Sequence, residues 1–225
     1  MGNLAVQLAT LGLGVAASPL PVVGVLIILL SKRAFPGGLT LAISWVVGVI
    51  TALAITIHFS ASIRMPPAGT DLETEGIFAL LLGIGLIVMG ALSKRGRLRS
   101  PSGGEPPAWV NSVDGLSPIG AGLFAFSNAT TSPKNLALAI TAGRAVTEST
   151  LFVQGALPAI LIYIVLASSS VVVPVLIYIL GGQRSVALLE SWRERITAHA
   201  AVIMEILLFV LGIGMSVKGL YNLLA

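Results

Sequence analysis

The 225 residues contain no cysteine. Disulfides, thiol relays and thiolate metal sites are therefore excluded. Charge is also scarce: Asp, Glu, Lys and Arg make up 10% of the chain, against about 25% in a soluble domain. The two histidines, His58 and His199, stand singly near the ends of apolar segments. Neither has a second ligand at helical spacing, so no metal site is expected. There is no P-loop, so this chain is not expected to hydrolyse ATP. No catalytic triad or paired carboxylates stand out, and the expectation is a protein that is not an enzyme and carries no cofactor. Short alternating segments of the kind that build membrane barrels are missing too. The first apolar segment lacks a basic leader and is too long for a signal-peptide core, so it reads as a retained span. The net charge of +4 is assigned to membrane topology and not to nucleic acid.

Apolar residues are plentiful, at 56% of the chain with a mean hydropathy of +0.99. The expected class is an all-α integral membrane protein. A span needs ~20 mostly apolar residues. Six such segments follow in order. Segment one covers about residues 4–30 and is uncharged; Lys32 and Arg33 end it. Segment two covers 35–58, with Ser44-Trp45, Thr51 and Thr56 as its polar content. A loop over 64–75 holds Pro66-Pro67 and three acids, and segment three covers 76–92. A basic Gly/Pro/Ser-rich linker over 94–107 reads as flexible. Trp109, Val110, Val113 and Leu116 suit an interfacial turn before segment four. Segment five, 149–183, has no charge. Pro158, Ser168 to Ser170 and Pro174 should bend or break it, and it reads as one long, bent span. A polar loop with Arg184, Glu190, Arg193, Glu194 and Arg195 precedes segment six, about 198–224.

Basic residues set orientation. Nine of them lie in the loops after segments one, three and five. Both termini are therefore expected outside, with the basic loops in the cytoplasm. Segments 1–93 and 115–225 look like two three-helix repeats joined by a linker, 94–114. Ser18-Pro19 matches Ser132-Pro133, and Gly83-Ile-Gly-Leu-Ile-Val-Met-Gly90 matches Gly212-Ile-Gly-Met-Ser-Val-Lys-Gly219. Gly-Ile-Gly arises easily by chance in such a chain, but five identities in eight positions favour a repeat. Three spans per half make the halves inverted.

Segment four holds the most unusual stretch. Gly115 to Gly143 has a single charge, Lys134, within Asn128-Ala-Thr-Thr-Ser-Pro-Lys-Asn135. Pro133 removes a backbone donor and disfavours helix at Ser132. Pro19 does the same at Ser18, beside Pro21. Unwound backbone at membrane depth survives only if buried in protein or facing water, and paired breaks point to a transporter site. The candidate substrate-binding residues are Ser18, Pro19, Pro21, Asn128, Thr131, Ser132, Pro133, Lys134 and Asn135. Uncapped amides and the Lys134 ammonium suit a carboxylate, sulfate, phosphate or sugar hydroxyls. The plainer reading makes Lys134 a snorkelling cation and Pro133 a packing kink. Glu205 is the one acid well inside a span and a candidate proton relay; a solvated or paired group is the plainer reading. Lys218 is expected to snorkel. The Asn128 sequon lies within a span and is discounted as a glycosylation site.

Three stretches carry a resemblance over nearly the whole chain. They are Ala17-Ser-Pro-Leu-Pro21 with Leu29-Leu-Ser-Lys-Arg33, Ser132-Pro-Lys-Asn-Leu-Ala-Leu-Ala139, and the Gly-rich last segment. Together they resemble the GAP family (peptidoglycolipid- and sulfolipid-addressing proteins), a branch of the LysE transporter superfamily. Ser132 stands where asparagine is commoner in that family. The resemblance implies a six-helix inverted-repeat carrier in a bacterial plasma membrane. It implies movement of glycolipids or lipopeptides toward the cell surface, beside a larger lipid exporter. Its functional positions would be Ser18, Pro19, Pro21 and Ser132 to Asn135. Expected partners are thus a lipid or glycolipid, the bilayer, that exporter and a second copy of the chain. The alternative is a proton-coupled exporter of amino acids or other small solutes; a third is a membrane scaffold for a partner exporter.

Overall fold

The computed structural model describes residues 2–62, 72–99, 113, 115–149 and 153–224. Eight helices lie among them: α1 (Gly2–Ala16), α2 (Pro19–Leu29), α3 (Ala34–Ser62), α4 (Leu72–Arg99), α5 (Pro118–Thr131), α6 (Pro133–Glu148), α7 (Val153–Gly181) and α8 (Gln183–Leu224). They fall into two compact units. The first comprises Met1–Ser62 and Pro106–Ala198, and the second Ile63–Glu105 and His199–Ala225.

In the first unit α3 packs along α5 and α6, and α1 packs along α7 and α6. Close approach needs small residues. A Cβ on Gly12 would fall 2.9 Å from the Tyr163 carbonyl, and one on Gly143 would fall 2.7 Å from Thr56 Oγ1. Trp45 is fully buried and donates its indole N–H to the Ala167 carbonyl at 3.3 Å. Thr56 Oγ1 shares its proton between the Leu53 carbonyl of its own helix at 2.9 Å and the Ala139 carbonyl at 3.0 Å. These bonds satisfy polar groups buried among apolar side chains, where an unmade bond is expensive.

In the second unit α4 and the last part of α8 meet backbone to backbone. A Cβ on Gly83 would lie 2.7 Å from the Gly212 carbonyl, and one on Gly76 would lie 2.8 Å from the Gly219 carbonyl. Residue numbers fall on one helix as they rise on the other, so the pair is antiparallel with a seven-residue repeat. The matching octapeptides thus supply glycines to one packing seam. Gly85 and Gly214 face open space instead.

Length and composition leave three helices able to cross a bilayer among the described residues: Ala34–Ala61, Gly155–Gly181 and Glu205–Leu224. A fourth arises if Leu4–Ala16 and Pro19–Leu29, bent by 56°, form one span. Several apolar helices thus suit a membrane protein.

Two boundaries differ from the sequence expectations, and segment five agrees with them. The residues after Lys94 stay helical to Arg99, because proline first appears at Pro101 and cations are favoured at a helix C-terminus. The polar stretch 184–197 is helix, not loop; it buries Ser185 and Leu189 four residues apart on one face. The turn before it is Gly182, at φ 52°, a left-handed conformation that glycine adopts without Cβ strain. Segment five is one helix, with Pro158 and Pro174 inside it. The 64–71 loop, residues 100–107 of the linker, and Trp109 and Val110 of the interfacial turn lie outside the described residues.

Candidate functional site

Both breaks arise from the same local chemistry. The ring of a proline clashes with a helical residue before it and pushes that residue to extended backbone. Ser18 sits at φ −88°, ψ 113° before Pro19. Ser132 sits at φ −61°, ψ 122° before Pro133. Each proline then takes the first position of a new helix, where its missing N–H is no loss.

The ends thus created are brought together within the first unit. Three carbonyls near the end of α1 find donors. Leu13 accepts from the Ala17 amide at 2.9 Å. Val15 accepts from the Ser18 hydroxyl at 2.8 Å. Gly14 accepts from Lys134 Nζ, across from α6, at 2.6 Å. The ammonium therefore sits at the negative end of the α1 dipole. Asn135 Nδ2 donates to the Asn128 carbonyl at 3.2 Å and so caps the end of α5. Ser18 Oγ lies 3.4 Å from Asn135 Oδ1 and joins the two breaks. Its one proton is better placed on Val15, so this link is the weaker.

Lys134 and Asn135 are 3% and 2% exposed. A lysine almost never reaches that depth unless paired. Among the described residues, Lys134 Nζ has Gly14 as its one acceptor and no carboxylate partner. Among the described residues two of its three donors have no acceptor, and only the carbonyl end of α1 faces its charge.

The two breaks are not equivalent as anion sites. In α2, Pro19 and Pro21 occupy the first and third positions, so only Leu20 offers a first-turn amide. In α6 the amides of Lys134 and Asn135 both follow Pro133, and Ser132 makes no side-chain cap. The first intrahelical bond runs from Leu136 to Ser132, at 2.8 Å. The capacity for an anion is concentrated on α6.

The remaining candidates are placed as follows. Pro19 and Pro21 are buried and Pro133 is exposed. Ser132 is half-buried. Asn128 enters through its backbone carbonyl. Thr131 is exposed and turns its hydroxyl back onto the Ser127 carbonyl at 2.7 Å. Glu205 is 5% exposed and belongs to the second unit. Sequence reasoning passed over Gly14, which acts through its carbonyl and leaves no side-chain signal. No group of three His, Cys, Asp or Glu able to hold a metal occurs among the described residues.

Residues 8–221 match the family model described as Sap, sulfolipid-1-addressing protein. The chain belongs to that family. The match spans both proline breaks and both units. The family name describes an addressing protein and not an enzyme. No curated protein and no solved structure matches the chain.

Proposed function

We propose that this protein moves an anionic glycolipid or lipopeptide, of the sulfolipid kind its family is named for, across a bacterial plasma membrane toward the cell surface. The headgroup binds where α1, α5 and α6 end and begin. The observation that carries this reading is Lys134. Its ammonium is buried, holds one carbonyl and has no counter-ion among the described residues. A sulfate, phosphate or carboxylate would supply that counter-ion, and the amides of Lys134 and Asn135 would orient it. Ser18 and Asn135 hold the cradle's shape.

In this reading the chain has six spans arranged as two inverted repeats, as in the LysE superfamily, with both termini outside. It works beside a larger lipid exporter, as a carrier or as that exporter's accessory subunit, and a homodimer is compatible with it. Glu205, as a buried acid, is the candidate for coupling to protons. The small-solute exporter would use the same two groups but needs a closed aqueous cavity, and no observation here favours it over the lipid.

The test compares surface and intracellular lipids in a strain lacking the chain, rescued by wild type or by Lys134→Ala. The expected result is loss of an anionic glycolipid from the surface, restored by wild type and not by the variant. Normal surface lipids in the deletion strain would refute the lipid assignment. Full rescue by the variant would remove Lys134 from the site.

A further inference from the structure

A second basic site lies at the other end of α2. The turn between α2 and α3, with the residues before α5, encloses an open groove of about 450 Å³. It is lined by Leu30, Ser31, Lys32, Arg33, Gly115 and Leu116. That size falls in the ~300–1,000 Å³ range of ligand pockets. All of these residues belong to the first unit.

The usual work of basic residues at a helix end is already done by others. The last carbonyls of α2 accept from the Leu30 and Ser31 amides and from the Ser31 hydroxyl, at 2.8 Å to Ile28. Lys32 and Arg33 are exposed, and neither side chain meets an acceptor among the described residues. Opposite them, just after Gly115 and Leu116, α5 begins at its N-cap Ser117, which accepts from the Gly120 amide, and the positive end of its dipole lies in that first turn. A Cβ on Gly115 would meet nothing within 4 Å. Exposed apolar residues lie close to that lining in the sequence. Phe35 and Ile119, within a few residues of its lining, are 55% and 75% exposed.

Position decides the class of ligand. The turn joins two apolar segments, Pro19–Leu29 and Ala34–Ala61, and a short turn between spans sits at the bilayer surface. Basic pockets between helices at that depth take lipid headgroups. We propose that the groove binds the phosphate or sulfate ester of an anionic lipid on Lys32 and Arg33, with its acyl chains along Phe35 and Ile119. The 11 residues of α2 separate this groove from the Ser18 break by ~16 Å of helix rise, about half of a ~30 Å hydrocarbon core. Occupancy of the groove stands on its own geometry. Its role as the loading end of a route to Lys134 rests on the function proposed above.

The test uses the full chain in nanodiscs, with lipids retained after mild extraction read by native mass spectrometry. The probes are phosphatidylglycerol, phosphatidylcholine and a sulfated galactolipid. Wild type should retain the anionic lipids in excess. Joint replacement Lys32→Gln and Arg33→Gln should cut that excess by roughly thirtyfold, given the usual worth of two interfacial cations. The swap Lys32→Arg with Arg33→Lys should keep it within about twofold, which separates charge from folding. Asp114→Asn, which removes the acid next to Gly115 in the sequence, should leave the excess unchanged or raise it. Equal retention of all lipids by wild type, an unchanged excess in the Gln variant, or a loss in Asp114→Asn would overturn the proposal. In competition, a galactolipid excess supports the loading role and a phospholipid excess overturns it. Lys134→Met should leave groove retention intact. If transport survives that change while the groove keeps its lipid, Lys134 is removed from the proposed site, the loading route to it fails, and the groove stands.

Discussion

At the scale of single residues, Lys134 does two things that can be separated. It caps the Gly14 carbonyl at 2.6 Å, and it holds a buried positive charge. A hydrogen bond to a charged group contributes about 1.5–3 kcal/mol, while burying the ion costs several. Lys134→Met should therefore leave thermal stability within about 1 kcal/mol of wild type, because it loses the cap but also the desolvated charge. Transport should fall at least tenfold. A melting curve and a flux assay on one preparation read both effects. Asn135→Asp tests the charge from the other side. It places a negative charge one residue after Lys134 in the first turn of α6, so an anionic headgroup should be displaced and flux should drop although the helix start gains a favourable charge. Asn135→Ala is different in kind. It leaves the Asn128 carbonyl without its side-chain donor, and should cost about 1–3 kcal/mol in a denaturation midpoint.

At the scale of helices, the breaks and the glycine seam make opposite demands. Pro133→Ala removes the clash that holds Ser132 extended. The α6 amides could then be drawn into a continuous helix, so flux should fall without loss of expression. In the second unit, Gly83→Ala would press a methyl group against the Gly212 carbonyl and Ser216, and should destabilise by about 1–3 kcal/mol. Gly85→Ala faces open space and should be neutral or stabilising by up to ~1 kcal/mol. The thermal midpoint should therefore fall for Gly83→Ala and stay level or rise for Gly85→Ala. Both breaks were legible in the sequence, because proline acts on its neighbour by local sterics alone. The ends of α4 and α8 were not. Charged residues read as loop, yet Lys, Arg, Glu and Leu are good helix formers; helix runs through Gly96 in α4 and resumes directly after the Gly182 turn at the start of α8.

At the scale of the whole molecule, the missing cysteines become a tool. Single cysteines at Asn3 and Leu224 should react with an impermeant thiol reagent from outside intact cells, and one at Ser31 only after permeabilisation. The reverse pattern would contradict the orientation inferred from the basic loops. The candidate site was partly legible for a related reason. Ser18, Lys134 and Asn135 could be named because polar groups are rare in this chain, but their partners could not. Gly14 and Asn128 contribute carbonyls, which every residue carries, and no pattern distinguishes those two before the chain is folded. The inequality between the breaks was hidden in the same way, since it depends on Pro21 following Pro19 at the third helical position. The most direct test of the central claim is flux in liposomes holding the purified chain, measured for a sulfated glycolipid and for the same lipid without its sulfate. Wild type should move the sulfated lipid at least tenfold faster, and Lys134→Met should erase the difference. Equal flux of the two lipids through wild type, or a sulfate preference that survives in Lys134→Met, would contradict it.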